Sequence, residues 1–243
     1  TGNWGLFEGS PTLPAGEAVK LNYRYRNGAK ASFTAYEIKV EQLLNDVKAY
    51  LKGNPKQLDW QTVNIGEIGW RIVEKNEKQY LGEKVAAWDV ELKPRESHFD
   101  RRTLIEAPIQ KPGAYFVTAQ IAGGNTSRMV VWVADTVIVK KNLDKQSMYY
   151  VADAVTGQPV PNAELNLFGY SQNWVNNKNE ILTVEANGAA GAQGLYYQPN
   201  QDQNRSYNWL ITSRTKEGRL AYLGFTGSWY GQYYDQEYNQ TKV

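Results

Sequence analysis

A chain of 243 residues with 17 Tyr and 8 Trp has room for one large domain or two of ordinary size, and its aromatic surplus favours strands. Charge is nearly balanced, with 18 basic and 16 acidic side chains over residues 1–137 and 9 of each over residues 138–243. This argues against nucleic acid and acidic membranes as partners. The absence of cysteine excludes a disulfide framework, a thiol nucleophile and Cys-ligated zinc or iron–sulfur sites, and fits a cell-envelope protein without disulfides as well as a cytosolic one.

Residues 1–16, rich in Gly and Pro, read as a loop or lead-in. Val19, Leu21, Tyr23 and Tyr25 alternate with Lys20, Asn22, Arg24 and Arg26, the pattern of a half-buried strand. Asn27-Gly28 signals a turn, and Ala31, Phe33 and Ala35 resume the alternation. From about Glu37 the period changes: Val40, Leu43, Leu44, Val47 and Leu51 fall on one face of a helix of about four turns. Gly53-Asn54-Pro55 ends it, so the helix spans about residues 37–53.

Residues 58–107 read as several strands with charged turns, Ala86, Trp88, Val90 and Leu92 forming an apolar face. Pro112-Gly113 opens a strand carrying Tyr115, Val117, Ala119 and Ile121. Gly123-Gly124-Asn125 turns it, and Met129, Val131 and Val133 return, which makes a hairpin over 113–134. Asp135 to Asp144 marks a boundary. Beyond it Tyr150, Ala152 and Ala154 alternate with Tyr149, Val151 and Asp153, then Thr156-Gly157-Gln158-Pro159-Val160-Pro161-Asn162-Ala163 forms a tight corner. There Gly157 can take positive φ, and Pro159 and Pro161 fix φ without donating to a ladder. Leu165 and Leu167 continue the pattern. Residues 171–206 read as a polar loop insert whose Gly188–Gly194 segment is mobile. A hairpin over 207–225 follows, Trp209 and Ile211 running up to Thr215–Gly218 and Leu220 and Tyr222 returning. The tail is aromatic and polar without a clear period.

Candidate chemistry is sparse. His98, the single histidine, sits in Lys93-Pro94-Arg95-Glu96-Ser97-His98-Phe99-Asp100, which reads as an exposed loop, so a Ser-His-Asp triad or a multi-His metal site lacks its parts. Glu74, Glu77, Asp89, Glu91, Asp235 and Glu237 are the carboxylates a glycosidase could pair, yet each lies among Lys or Arg or on the polar side of an alternating run. No phosphate-cradling glycine motif or calcium loop occurs. No catalytic, cofactor-binding or metal residue is assigned. Trp229, Tyr230, Tyr233 and Tyr234, with Tyr238, form the one candidate interaction surface, able to stack on sugars or to pack against a neighbouring module. Asn125, Asn204 and Asn239 match the N-glycosylation pattern. No apolar run approaches the roughly 18 residues needed to span a bilayer. Thr1 is not an initiator Met, so the chain reads as a processed product or an excised piece with any signal peptide outside it.

Three segments carry a family resemblance. Leu13-Pro14-Ala15-Gly16 leading to Leu21-Asn22-Tyr23-Arg24-Tyr25-Arg26-Asn27, then Phe33-Thr34-Ala35-Tyr36-Glu37-Ile38 and Leu43-Leu44, resembles a "yRN" start that passes into a Leu-Leu helix. Lys111-Pro112-Gly113-Ala114-Tyr115-Phe116-Val117 is similar to a "pGxYxv" strand. Asp153-Ala154-Val155-Thr156-Gly157-Gln158-Pro159-Val160 with Ala163 is similar to a "D..TGxPv..a" corner. In this order, over most of residues 13–170, they resemble bacterial alpha-2-macroglobulin-like proteins. The "TDRPxYRPG" segment usual next in that family is absent, as in a piece cut before the next domain.

The resemblance implies a mainly β fold: two tandem immunoglobulin-like, macroglobulin-type antiparallel β-sandwiches over 1–137 and 138–243, one helix being inserted in the first. It implies non-catalytic structural modules of a large periplasmic or cell-envelope endopeptidase inhibitor. Their partners would be neighbouring domains, and the proteases would be met through a bait region not in this chain. Without Cys no thioester is carried here. Two other readings stand beside it, a carbohydrate-binding or adhesin sandwich using the aromatic tail and an accessory region of a glycoside hydrolase. The latter needs two facing carboxyl groups about 5–10 Å apart.

Overall fold

The computed structural model describes residues 2–9, 12–143, 146–175, 178–199 and 206–227. The chain is mainly β. The described residues form two compact units, one from those up to 47 with 59–135, the other from 48–58 with those from 136 onward.

In the first unit the strands are β1 (Trp4–Phe7), β2 (Thr12–Pro14), β3 (Val19–Arg26), β4 (Lys30–Ile38), β5 (Leu81–Glu91), β6 (Arg101–Ala107), β7 (Gly113–Ile121) and β8 (Thr126–Ala134). They build a three-stranded sheet, β1-β3-β6, and a five-stranded sheet, β2-β8-β7-β4-β5. The alternation in β3 places Val19, Leu21, Tyr23 and Tyr25 inside, each at most 2% exposed. Facing them are Phe33, Val117, Ala119, Ile121, Val131 and Val133 from the second sheet. Trp88 stacks on Phe33 at 5.2 Å, and Tyr23 meets the same ring edge-on at 5.5 Å. The hairpin expected over 113–134 is present, β7 pairing β8 from Gly113↔Val133 to Gln120↔Thr126.

Two sequence expectations fail in this unit. Residues 1–16 are not wholly a lead-in: β1 pairs β3 and buries Phe7 in the core, and β2 pairs β8. That second pairing is a three-residue parallel one at the sheet edge, where Pro14 is tolerated. The helix expected at about 37–53 is α1 (Val40–Lys52), with Leu43, Leu44, Val47 and Leu51 all buried. It is not alone, because residues 58–80 hold α2 (Trp60–Val63), a 3-10 turn at Ile65–Glu67, α3 (Ile68–Glu74) and a second 3-10 turn at Lys78–Tyr80. Ile65, Ile68 and Ile72 are spaced i, i+3, i+7 and buried, which is a helical period written in β-branched residues. Asp59 starts the segment by accepting from the Gln61 amide at 2.9 Å, and Asn64 accepts from the Gly66 amide at 3.1 Å. Gly69 lets α3 lie against β8: a Cβ there would fall 2.8 Å from Val130 Cγ2.

The second unit contains β9 (Thr136–Asn142), β10 (Gln146–Asp153), β11 (Glu164–Val175), β12 (Lys178–Ala189), β13 (Leu195–Pro199), β14 (Asn208–Arg214) and β15 (Leu220–Gly227). A sheet β13-β10-β9 and a sheet β12-β11-β14-β15 enclose Ile138, Tyr149, Val151, Leu165, Leu167, Trp209 and Ile211. The stretch 171–206 is therefore not one loop. β11 and β12 pair without a break from Glu164↔Ala189 to Val175↔Lys178. Asn187 sits on a strand face of this ribbon, where its Oδ1 accepts from Asn166 Nδ2 at 2.6 Å. Gly188–Gly194 is strand to Ala189 and then a tight turn, the Gly194 amide donating to Gly191 O at 2.9 Å and the Gly191 amide to Leu195 O at 2.8 Å. In the hairpin over 207–225 the inward residues of the returning strand are Ala221 and Leu223, not Leu220 and Tyr222. A register shift between Trp209 and Ile211 accompanies this.

Candidate functional site

The corner after β10 is held by one carboxylate. Asp153 Oδ1 accepts from the Val155 amide at 3.0 Å, the Thr156 amide at 2.8 Å and the Thr156 hydroxyl at 3.0 Å. Arg219 Nη1 donates to Asp153 Oδ2 at 3.0 Å, tying the corner to the turn between β14 and β15. The backbone closes around it: Gly157 N donates to Asp153 O at 2.9 Å, Asp153 N to Gln158 O at 2.9 Å and Val160 N to Val151 O at 2.9 Å. Gly157 takes φ +69°, the left-handed region that its place in the corner requires. The Thr156 amide, then the Arg219 guanidinium and the Thr156 hydroxyl, pull the Asp153 pKa down to about 2. Both oxygens are occupied by these donors, so the group serves as a structural anion.

A second constellation unites distant parts of the sequence within the second unit. Lys48 Nζ donates to Asn166 Oδ1 at 2.7 Å, and Lys52 Nζ lies 2.6 Å from Glu185 Oε1. Both ammonium groups stand over the fully buried Phe168 ring, at 6.0 and 5.8 Å from its centroid. Burial lowers the Lys48 pKa, with Glu185 opposing that shift. Just beyond α1, Asn54 Oδ1 accepts from the Ile181 amide at 2.8 Å and Asn179 Nδ2 donates to Pro55 O at 3.3 Å. The 48–58 segment thus grips the face and edge of β11 and β12. Sequence reasoning missed this clasp. Its one local signal is Asn54, read only as a helix stop and found at φ 49°.

The residues singled out from sequence are dispersed. His98 is exposed, with Nδ1 2.8 Å from Asn27 Oδ1. Glu77 is engaged by the buried Arg71, whose Nε and Nη2 both lie 2.8 Å from its Oε2. Asp89 accepts from Ser32 at 2.6 Å and pairs with Lys30 at 2.9 Å. Among the described residues no group of three or more His, Asp or Glu is placed to hold a metal ion. No described helix is long and apolar enough to cross a membrane. Asn125, a matched glycosylation pattern, uses its whole amide internally: Nδ2 donates to Gly5 O at 2.8 Å and Oδ1 accepts from Gly5 N at 2.9 Å, which fastens β1 beside β8. Trp229, Tyr230, Tyr233, Tyr234, Tyr238, Asp235, Glu237, Asn204 and Asn239 lie outside the described residues.

Neither a protein-family model nor a curated protein matches the sequence. Solved structures do. Native alpha-2-macroglobulin from Escherichia coli spanning domains MG0-NIE-MG1 superposes with a TM-score of 0.58 at 15% identity, over 93% of this chain and 65% of that one. The fold is macroglobulin-like. A fragment of the same protein spanning NIE-MG1 gives a TM-score of 0.56 at 15% identity, covering 92% of this chain and 97% of the fragment. The macroglobulin-like chain therefore spans 65% of the three-domain structure and nearly all of the two-domain one.

Proposed function

We propose that this chain is a non-catalytic structural part of a larger alpha-2-macroglobulin-like endopeptidase inhibitor of the bacterial periplasm or cell envelope. Its first unit stands in the place of NIE and its second in the place of MG1. The observation that carries the reading is the near end-to-end match with the two-domain NIE-MG1 fragment. The order of the yRN start, the pGxY strand and the TGxPv corner supports it independently, since these motifs form β3, β7 and the turn after β10. The accessory-glycosidase reading is weakened at Glu77 and Asp89, each engaged by a cation of its own.

In this reading the units position other domains. Protease capture belongs to a bait segment elsewhere in the parent, and no residue here takes part in it. The test is the parent reading frame beyond Val243. A downstream segment resembling "YRPG" supports the assignment. A stop codon shortly after Val243 overturns it.

A further inference from the structure

The outer face of the β1-β3-β6 sheet is unlike an ordinary solvated surface. Residues opposite each other in an antiparallel ladder share a face. Arg26 stands opposite Trp4, Arg24 opposite Leu6 on one side and Arg102 on the other, and Asn22 opposite Leu104. The inner face carries the core residues Phe7, Tyr23 and Ile105, so this set points outward. Leu104 is 59% exposed and Leu6 38%. The guanidinium carbons of Arg24 and Arg26 lie 5.2 and 5.8 Å from the centroid of the Trp4 ring, which holds both side chains in place.

Two carboxylates answer three guanidinium groups on this face, while Glu106 stands opposite Lys20. Glu8 receives Arg102 through Nε at 2.8 Å and Nη2 at 3.2 Å, and lies 3.1 Å from Arg24 Nε. Asp100 lies 3.6 Å from Arg24 Nη1 and 3.5 Å from Arg26 Nε. Despite these short distances, the Nε groups of Arg24 and Arg26 make no aligned hydrogen bond, and both are shut off from solvent, so only the Nη groups of these side chains can meet a partner. Glu8 separates Arg24 from Arg102, a like-charged pair that would otherwise oppose sheet formation. What remains is a surface of pre-ordered Arg and Trp beside exposed Leu. Its guanidinium donors exceed its acceptors, and Trp and Arg dominate the binding energy of protein interfaces.

We propose that this face docks a polypeptide surface that presents carboxylates, which the Nη groups of Arg26 and Arg102 that Asp100 and Glu8 leave unused would bind while Leu6 and Leu104 cover apolar area. Planar guanidinium groups suit carboxylates because they donate in pairs.

The test is titration of the intact chain with an acetylated, amidated hexaglutamate peptide at about 20 mM salt, followed by calorimetry. Saturable binding is expected, weakening about tenfold when salt rises to about 200 mM, as exposed charge contacts require. In an Arg26→Gln/Arg102→Gln chain the affinity should fall at least about fivefold, with no change in a Lys141→Gln control. Arg102→Gln alone, at a side chain 71% exposed, serves if the double variant fails to fold. Absence of binding, or equal binding by the Arg variants, overturns the proposal. So does tight binding of a heparin hexasaccharide where hexaglutamate fails, since that marks a sulfate site.

Discussion

The 153–163 corner and the 48–58 clasp both fasten the second unit, by opposite means. The corner is local: Asp153, Val155, Thr156 and Gly157 lie within five residues, and only Arg219 comes from afar. The clasp joins partners separated by 118 to 127 positions, Lys48 with Asn166 and Asn54 with Ile181. A local device leaves a motif, because the turn geometry demands Gly and Pro at fixed offsets. A long-range device leaves only ordinary residue types, each of which reads alone as a surface Lys or Asn. The contrast also assigns different physics. The corner depends on a charged hydrogen-bond acceptor, whereas the clasp rests first on burial and then on polar contacts.

The contrast breaks most clearly at Leu51, the fully buried residue that α1 brings to the second unit. Leu51→Ala should cost about 2–5 kcal/mol in denaturant unfolding, through lost burial and the cavity left behind. Asn54→Ala should cost about 1–2 kcal/mol, because it removes the acceptor for the Ile181 amide and places Ala at positive φ. Amide exchange at Ile181 should accelerate in that variant while exchange at Val160 stays slow. At the corner, Asp153→Ala should lower the melting temperature by less than Leu51→Ala and should speed exchange at the Thr156 and Gly157 amides.

The corner should also be acid-labile. The folded Asp153 pKa of about 2 lies below its ordinary 3.8. Its contribution is therefore complete above about pH 4 and disappears as pH falls toward 2. An acid titration followed by exchange at Thr156 should show loosening in that window in the native chain and none in Asp153→Ala. The smallest effect is expected from Lys52→Ala. Its pair with Glu185 is half exposed, so the cost should be at most about 0.5 kcal/mol and should vanish in high salt.

The same division describes how far the fold was legible. The strands carrying Val19 to Tyr25, Tyr115 to Ile121 and Met129 to Val133 announced themselves by strict alternation, and α1 by its Leu and Val spacing. Residues 60–74 misled because Val63, Ile65, Ile68 and Ile72 are strand-preferring types placed at a helical period. The β11–β12 ribbon misled in the other sense: Asn, Gln and Gly suggest a loop, yet Asn166 and Asn187 bond across the strands and Asn54 and Pro55 hold Asn179 and Ile181. Of the candidate site, the Thr156–Ala163 corner was readable as a turn. The role of Asp153 as its acceptor was not, since Arg219 is 66 residues away. The outward Arg–Trp face was hidden because composition averages charge over the whole half of the chain.

The central functional claim is that these two units are scaffold within a protease-trapping protein. The most direct measurement incubates the full parent protein with trypsin and follows hydrolysis of a large protein substrate beside that of a small peptide substrate. The claim predicts that hydrolysis of the large substrate falls steeply while hydrolysis of the small one persists, as physical enclosure requires. Undiminished hydrolysis of both substrates would contradict it.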